Sequence, residues 1–131
     1  MRLLIDTHAF LWFIEGDPQL SVNARQLIED EDNAIWLSIA SVWEMAIKFS
    51  IGKLTALDAS RPFSVQISDQ LAHNSISVLP ITLPHAFQVA SLPFHHRDPF
   101  DRLIAAQCLV ESLSLLSVDA IFDVYGVARL W

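Results

Sequence analysis

Five carboxylates in this chain stand where a divalent cation could be held: Asp6, Glu44, Asp98, Asp101 and Asp119. Asp98 and Asp101 come together in Arg97-Asp98-Pro99-Phe100-Asp101-Arg102-Leu103-Ile104-Ala105-Ala106-Gln107, which reads as the start of a helix. Asp98 suits the N-cap, where a carboxylate accepts from an unpaired backbone N–H. Pro99 follows at the first helical position, where its missing N–H costs nothing. Asp101 falls three residues after the cap, the capping-box position usually held by Glu or Gln. One acid is enough to cap a helix, so the second is free to point at something else. Taken singly, Asp6, Glu44, Asp98 and Asp119 are each explained as helix caps, because carboxylates are stabilised at helix N-termini. Taken together they need more, since carboxylates gathered in a cleft repel one another and lose solvation. A divalent cation relieves both costs. Oxygen donors suit Mg²⁺ or Mn²⁺, and there is no Cys/His set that would select zinc.

The elements that must position these acids follow from the apolar pattern. Arg2-Leu3-Leu4-Ile5, Ala34 to Ser38, Ile76 to Leu79 and Leu113 to Ser117 are short, nearly continuous apolar runs, as in buried parallel strands. Val127 to Leu130 is expected to add an edge strand. Between them the spacing predicts helices over Ala9–Glu15, Ser21–Asp30, Ser41 to about Ser50, Ser60–His73 (interrupted at Pro62), Pro84–Ser91 and Asp98 to about Ser112. Ser41-Val42-Trp43-Glu44 reads as a capping box that puts Glu44 in the first turn. Alternating strands and helices imply an α/β domain with a mostly parallel sheet and helices on both faces. Such sheets carry their sites at the carboxyl ends of the strands. Asp6, Glu44 and Asp119 therefore belong on one edge. Asp101 reaches it only if Pro80 to Asp98 carries the chain back across.

The remaining polar candidates have structural explanations. Ser117 and Thr7 stand beside acids and are placed to orient them by hydrogen bonds. Lys48, four residues after Glu44, forms a helical ion pair. His95-His96 reads as a loop pair, and His8 as a packing or capping residue. Trp12, Trp36 and Trp43 fit core positions.

With 131 residues, residues 1–131 are expected to form one domain with a real core. No apolar run approaches a membrane span, and Leu3-Leu4-Ile5-Asp6 is too short and too early-charged for a signal peptide. The single cysteine, Cys108, gives no disulfide framework and favours a reducing cytoplasm. A net charge of −7 argues against bulk attraction to nucleic acid, unless metal ions neutralise some of the acids. Only three glycines occur, in no G-x-G-x-x-G or Walker pattern, which counts against a nucleotide-binding domain. A metal-dependent phosphatase with an aspartyl nucleophile would carry Asp-x-Asp after the first strand, but the residue two after Asp6 is His8.

Four stretches, Leu3 to His8, Ser41 to Lys48, Asp98 to Gln107, and Ser117-Val118-Asp119 with Phe122-Asp123 and Tyr125-Gly126, resemble the PIN-domain family, and within it the VapC-type ribonuclease toxins of toxin–antitoxin pairs. They span nearly the whole chain in the family's order and spacing. The resemblance implies a three-layer α/β/α sandwich with a mostly parallel four- or five-stranded sheet. It implies a Mg²⁺- or Mn²⁺-dependent endoribonuclease whose acidic quartet falls on Asp6, Glu44, Asp101 and Asp119, with Asp98 as a cap behind them. In-line attack by water on RNA would leave a 5′-phosphate and a 3′-hydroxyl, with Arg97, Arg102 or Lys48 as candidate phosphate contacts. The resemblance also implies a homodimer and a cognate antitoxin protein that covers the cleft. The contrasting expectation is a non-catalytic binding module that keeps the fold for docking a partner.

Overall fold

The computed structural model describes residues 1–131. In chain order the elements are β1 (Arg2–Ile5), α1 (Thr7–Glu15), α2 (Val22–Glu29), β2 (Ala34–Ser38), α3 (Ile39–Ser50), α4 (Phe63–His73), β3 (Ile76–Leu79), α5 (Leu83–Ser91), α6 (Pro99–Glu111), β4 (Ser114–Leu116), a 3-10 helix (Ala120–Tyr125) and β5 (Arg129–Leu130). The five strands form one sheet in the order β3-β2-β1-β4-β5, and every pairing is parallel. The expected α/β/α sandwich with a parallel sheet is the observed architecture, and its sheet has five strands.

Period-two alternation divides the strand side chains between two cores. Leu3 and Ile5 of β1 and Leu116 of β4 join Phe10, Ile35, Leu37, Met45 and Ile67 on one face. Leu4 and Leu115, the intervening residues, join Ile104, Ala105, Cys108, Phe122 and Tyr125 on the other. Burial on both faces explains why the strands read as continuous apolar runs: Leu3, Leu4 and Ile5 are 0% exposed. No helix is long and apolar enough to cross a membrane.

The register decides where the site lies. Ile5 is level with Leu37 on β2 and with Leu116 on β4, so Asp6, Ser38 and Ser117 leave the sheet side by side. The chain moves outward from β1 through β2 to β3, then returns to place β4 on the other side of β1. The crevice at that reversal is where a doubly wound sheet accommodates a ligand.

Two local expectations change. Helix α3 begins at Ile39, directly from β2, with Ser38 as its N-cap accepting from Ala40 N at 3.0 Å. Ser41 is thus inside the helix rather than its cap, and Glu44 lies beyond the first turn. The local box motif loses to Ser38 because the strand runs into the helix without a loop. Trp43 is not a core residue: it is 57% exposed and lies edge-on to Phe100, 5.1 Å between centroids.

Candidate active site

Three helix N-termini converge at the carboxyl edge, each capped by an acid. Asp6 caps α1, its Oδ1 accepting from Ala9 N at 2.8 Å. Asp98 caps α6, its Oδ1 accepting from Phe100 N at 2.9 Å and Asp101 N at 3.1 Å. Asp119 caps the 3-10 helix, its Oδ1 accepting from Ile121 N at 3.0 Å. Capping therefore does not compete with a site, because each cap bond uses one carboxylate oxygen and the helix dipoles favour negative charge there. An Asp98→Ala substitution is expected to cost about 1 kcal/mol of stability, and Asp98→Asn only a few tenths, as read by denaturant melts.

Asp101 reaches this edge through the α5–α6 pair, as the sequence required of the Pro80–Asp98 segment. The two helices run antiparallel. His85 at the start of α5 meets Glu111 at the end of α6, Nε2 to Oε1 2.9 Å, while Arg102 near the start of α6 donates to Val89 and Pro93 carbonyls. Asp6, Glu44, Asp98, Asp101 and Asp119 line one cleft of about 210 Å³, with Thr7, His8, Val118 and Phe122. A larger cavity, about 420 Å³, lies at the opposite edge of the sheet, and its acids (Glu29, Asp30 and Glu31) belong to one exposed helix end.

The hydrogen bonds behind the acids are specific. The Ser117 hydroxyl accepts from Asp119 N at 3.0 Å and lies close enough to the Asp6 carboxylate to favour its charged form, so one side chain stands between two of the acids. Thr7 does not orient an acid; its hydroxyl donates to Ser41 Oγ at 2.9 Å and ties α1 to α3, the helices that carry Asp6 and Glu44. Arg129, expected only within an edge strand, donates to the Ser117 carbonyl at 3.1 Å and grips both carboxylate oxygens of Asp123. His96 lies in the loop where the sequence places it, and its Nε2 is 2.9 Å from Asp101 Oδ2. The neighbouring His95 packs on Tyr125 instead, so the two imidazoles diverge. No sequence spacing signals the His96 contact, because it depends on how the loop before α6 is folded.

The candidate phosphate contacts separate. Arg102 is buried, donating to the carbonyls of Pro93, Val89 and Leu92 and to the Tyr125 hydroxyl. Its guanidinium is spent closing the loop onto α5, which corrects the expectation of a phosphate contact. Lys48 forms the expected ion pair with Glu44, 3.5 Å. Arg97 is exposed and takes part in none of the ion pairs.

The electrostatics are those of crowded, poorly solvated carboxylates. Burial raises the Asp6 carboxyl above its ordinary range, with repulsion from Asp119 adding to it, against the Ser117 and Ala9 hydrogen bonds and His8. Burial also raises Asp101, to about 6, reinforced by Asp98 and Glu44 and opposed by His96. Hard oxygen donors from separate elements, with carboxyls raised because their charge is poorly compensated, fit a divalent cation. The set whose donor atoms already lie within 4.8 Å of one another is His96, Asp98 and Asp101, rather than the four acids expected from sequence. Asp6, Glu44 and Asp119 face the same cleft at longer range. The thiol of Cys108 stays apart from this chemistry, buried in the second core with its pKa pushed up to about 12.

No curated protein matches the chain by sequence. Solved structures do match by fold. VapBC2 from Rickettsia felis, bound to a DNA fragment from its promoter, aligns with a TM-score of 0.76 at 16% identity, covering 99% of this chain and 98% of that one. VapBC-1 from nontypeable Haemophilus influenzae gives 0.67 at 15% identity, over 99% and 97% of the two chains. FitAcB from Neisseria gonorrhoeae gives 0.62 at 19% identity, over 98% and 96%. Likeness at such identities carries the fold alone. The family comes from the sequence itself: a model described as PIN domain matches residues 3–128, which takes in every acid of the cleft and the Ser117 and His96 that bond them, and the chain belongs to that family.

Proposed function

We propose that this protein is a metal-dependent endoribonuclease that hydrolyses RNA phosphodiester bonds, and that it is the toxin of a type II toxin–antitoxin pair. The observation that carries the reading is the gathering of Asp6, Glu44, Asp98, Asp101 and Asp119 from four separate parts of the chain into one cleft of a PIN domain. Asp6 and Asp101 would hold Mg²⁺ or Mn²⁺, with Glu44 and Asp119 completing the site directly or through water. When bound, such an ion lowers the pKa of a coordinated water and neutralises charge on the scissile phosphate. The chain's own residues supply the positioning. Ser117 anchors the backbone of Asp119 beside Asp6, the three caps fix their acids to helix ends, and the Thr7–Ser41 bond keeps the Asp6 and Glu44 helices together. Arg97, exposed one residue before Asp98, is the cation best placed to meet a phosphate. The products would be a 5′-phosphate and a 3′-hydroxyl.

The net charge of −7 supports the metal requirement, because a polyanion would be repelled from an uncompensated acidic cleft. The toxin assignment draws on the solved relatives, whose names are those of two-component VapBC and FitAcB assemblies. By that reading the partners are an antitoxin protein, which shields the cleft, and a second copy of the chain, and the work is done in the cytoplasm. The test is to incubate the purified, antitoxin-free protein with total cellular RNA, with Mg²⁺, with Mn²⁺ and with EDTA. Discrete fragments are expected with metal and none with EDTA. Equal cleavage in EDTA would rule out the metal-dependent mechanism.

A further inference from the structure

The loop from Leu92 to Arg97 is held from inside. Arg102 donates to the carbonyls of Val89, Leu92 and Pro93, and its guanidinium stacks over Phe94 at 5.0 Å. Pinned in this way, the loop delivers His95 to Tyr125 and His96 to the acidic cleft. His96 Nε2 meets Asp101 Oδ2 at 2.9 Å, and both side chains are about two-thirds or more buried, with 31% and 27% exposure. Asp101 is otherwise held only by its backbone, because the Asp98 cap bonds its N–H and not its carboxylate.

From this geometry we infer that His96 is a positioning residue: its imidazole fixes the Asp101 carboxylate in the orientation that receives the metal ion. The inference rests on the metal-site reading above and adds a residue to it. A carboxylate at a helix start has free side-chain torsions, and a hydrogen bond to one oxygen removes that freedom before the ion arrives. Outer partners of this kind typically contribute about 10–100-fold to metal affinity. The nitrogen that bonds Asp101 is not available to ligate at the same time, so the contribution is orientation and not a further ligand. Because the bond uses Nε2, the substitutions divide cleanly. Glutamine can place an amide N–H near the Nε2 position, whereas asparagine reaches only as far as Nδ1.

The experiment is calorimetric titration of MnCl₂ into the wild-type chain, His96→Ala, His96→Gln, His96→Asn and Asp101→Asn, without RNA. His96→Ala and His96→Asn are expected to bind Mn²⁺ about 10–100-fold more weakly, with His96→Gln recovering most of the affinity. His96 is partly exposed, and the metal-free melting temperature of each variant checks that the fold persists. Wild-type affinity in His96→Ala overturns the inference, and so does equal weakness of the Ala, Gln and Asn variants, which would make the imidazole a ligand or a packing group. If the wild type itself binds no Mn²⁺, or Asp101→Asn binds as well as wild type, the metal-site reading has failed and the role of His96 falls with it.

Discussion

Asp6→Asn is expected to abolish metal-dependent RNA cleavage, lowering the rate by more than about 10²–10³-fold, while leaving the protein folded. The two effects separate because Asp6 has two jobs. As the N-cap of α1 it accepts from Ala9 N, and asparagine caps helices about as well as aspartate. As a charge facing the cleft it cannot be replaced by a neutral amide. The same reasoning gives the sign of the stability change. Burial and Asp119 raise the Asp6 carboxyl, which means that its charged form is disfavoured in the folded protein. Removing that charge should therefore raise the metal-free melting temperature and remove the further rise that Mn²⁺ produces. Cleavage at the wild-type rate by Asp6→Asn would show that the site has been assigned wrongly.

Metal binding should also be steeply dependent on pH. The Asp101 carboxyl is raised to about 6, mainly by burial, with Asp98 and Glu44 adding to it. A metal ion needs the ionised form, so the proton competes. Below about pH 6 the apparent affinity should fall by about tenfold for each pH unit, and above about pH 7 it should level off. The metal-free protein responds in the opposite direction. A raised carboxyl means that the folded state holds its proton where the unfolded state has released it, so stability falls as pH rises from about 4 through about 6. Thermal melts across this range, with and without MnCl₂, should show the metal-free curve declining while the metal-induced shift grows. Asp101→Asn should flatten both trends. A metal-induced shift of the same size at about pH 5 and about pH 7 would contradict this account.

What the sequence determined by itself was local in origin. Apolar runs of four or five residues marked β1 to β4, and burial on both faces of the sheet explains why the central strand β1 did not alternate. That Asp6 and Asp119 share one edge was legible because each follows a strand by one or three positions, and parallel strands end on a common edge. The caps at Asp6, Asp98 and Asp119 were legible for a similar reason, since a cap bond spans only two or three residues. The capping box proposed at Ser41 was local too, and it failed because Ser38 lay closer to the end of β2.

The tertiary structure alone decided the rest. Asp101 reaches the cleft because α5 packs antiparallel to α6, a relation carried by contacts between residues 85 and 111 and between 89 and 102. Arg102 and Arg97 could not be told apart as cations in the sequence, yet one is buried among carbonyls and the other is free in solvent. His96 and its neighbour His95 looked equivalent, and only the loop closed by Arg102 sends one to Asp101 and the other to Tyr125. Ser41 sits inside α3 and caps nothing; it receives the Thr7 hydroxyl from 34 residues earlier in the chain. The division follows from the range of the forces. Backbone capping and apolar periodicity act over a few residues and are written in neighbouring letters, whereas the direction of a long side chain is set by whichever distant groups the packed chain brings within hydrogen-bonding reach.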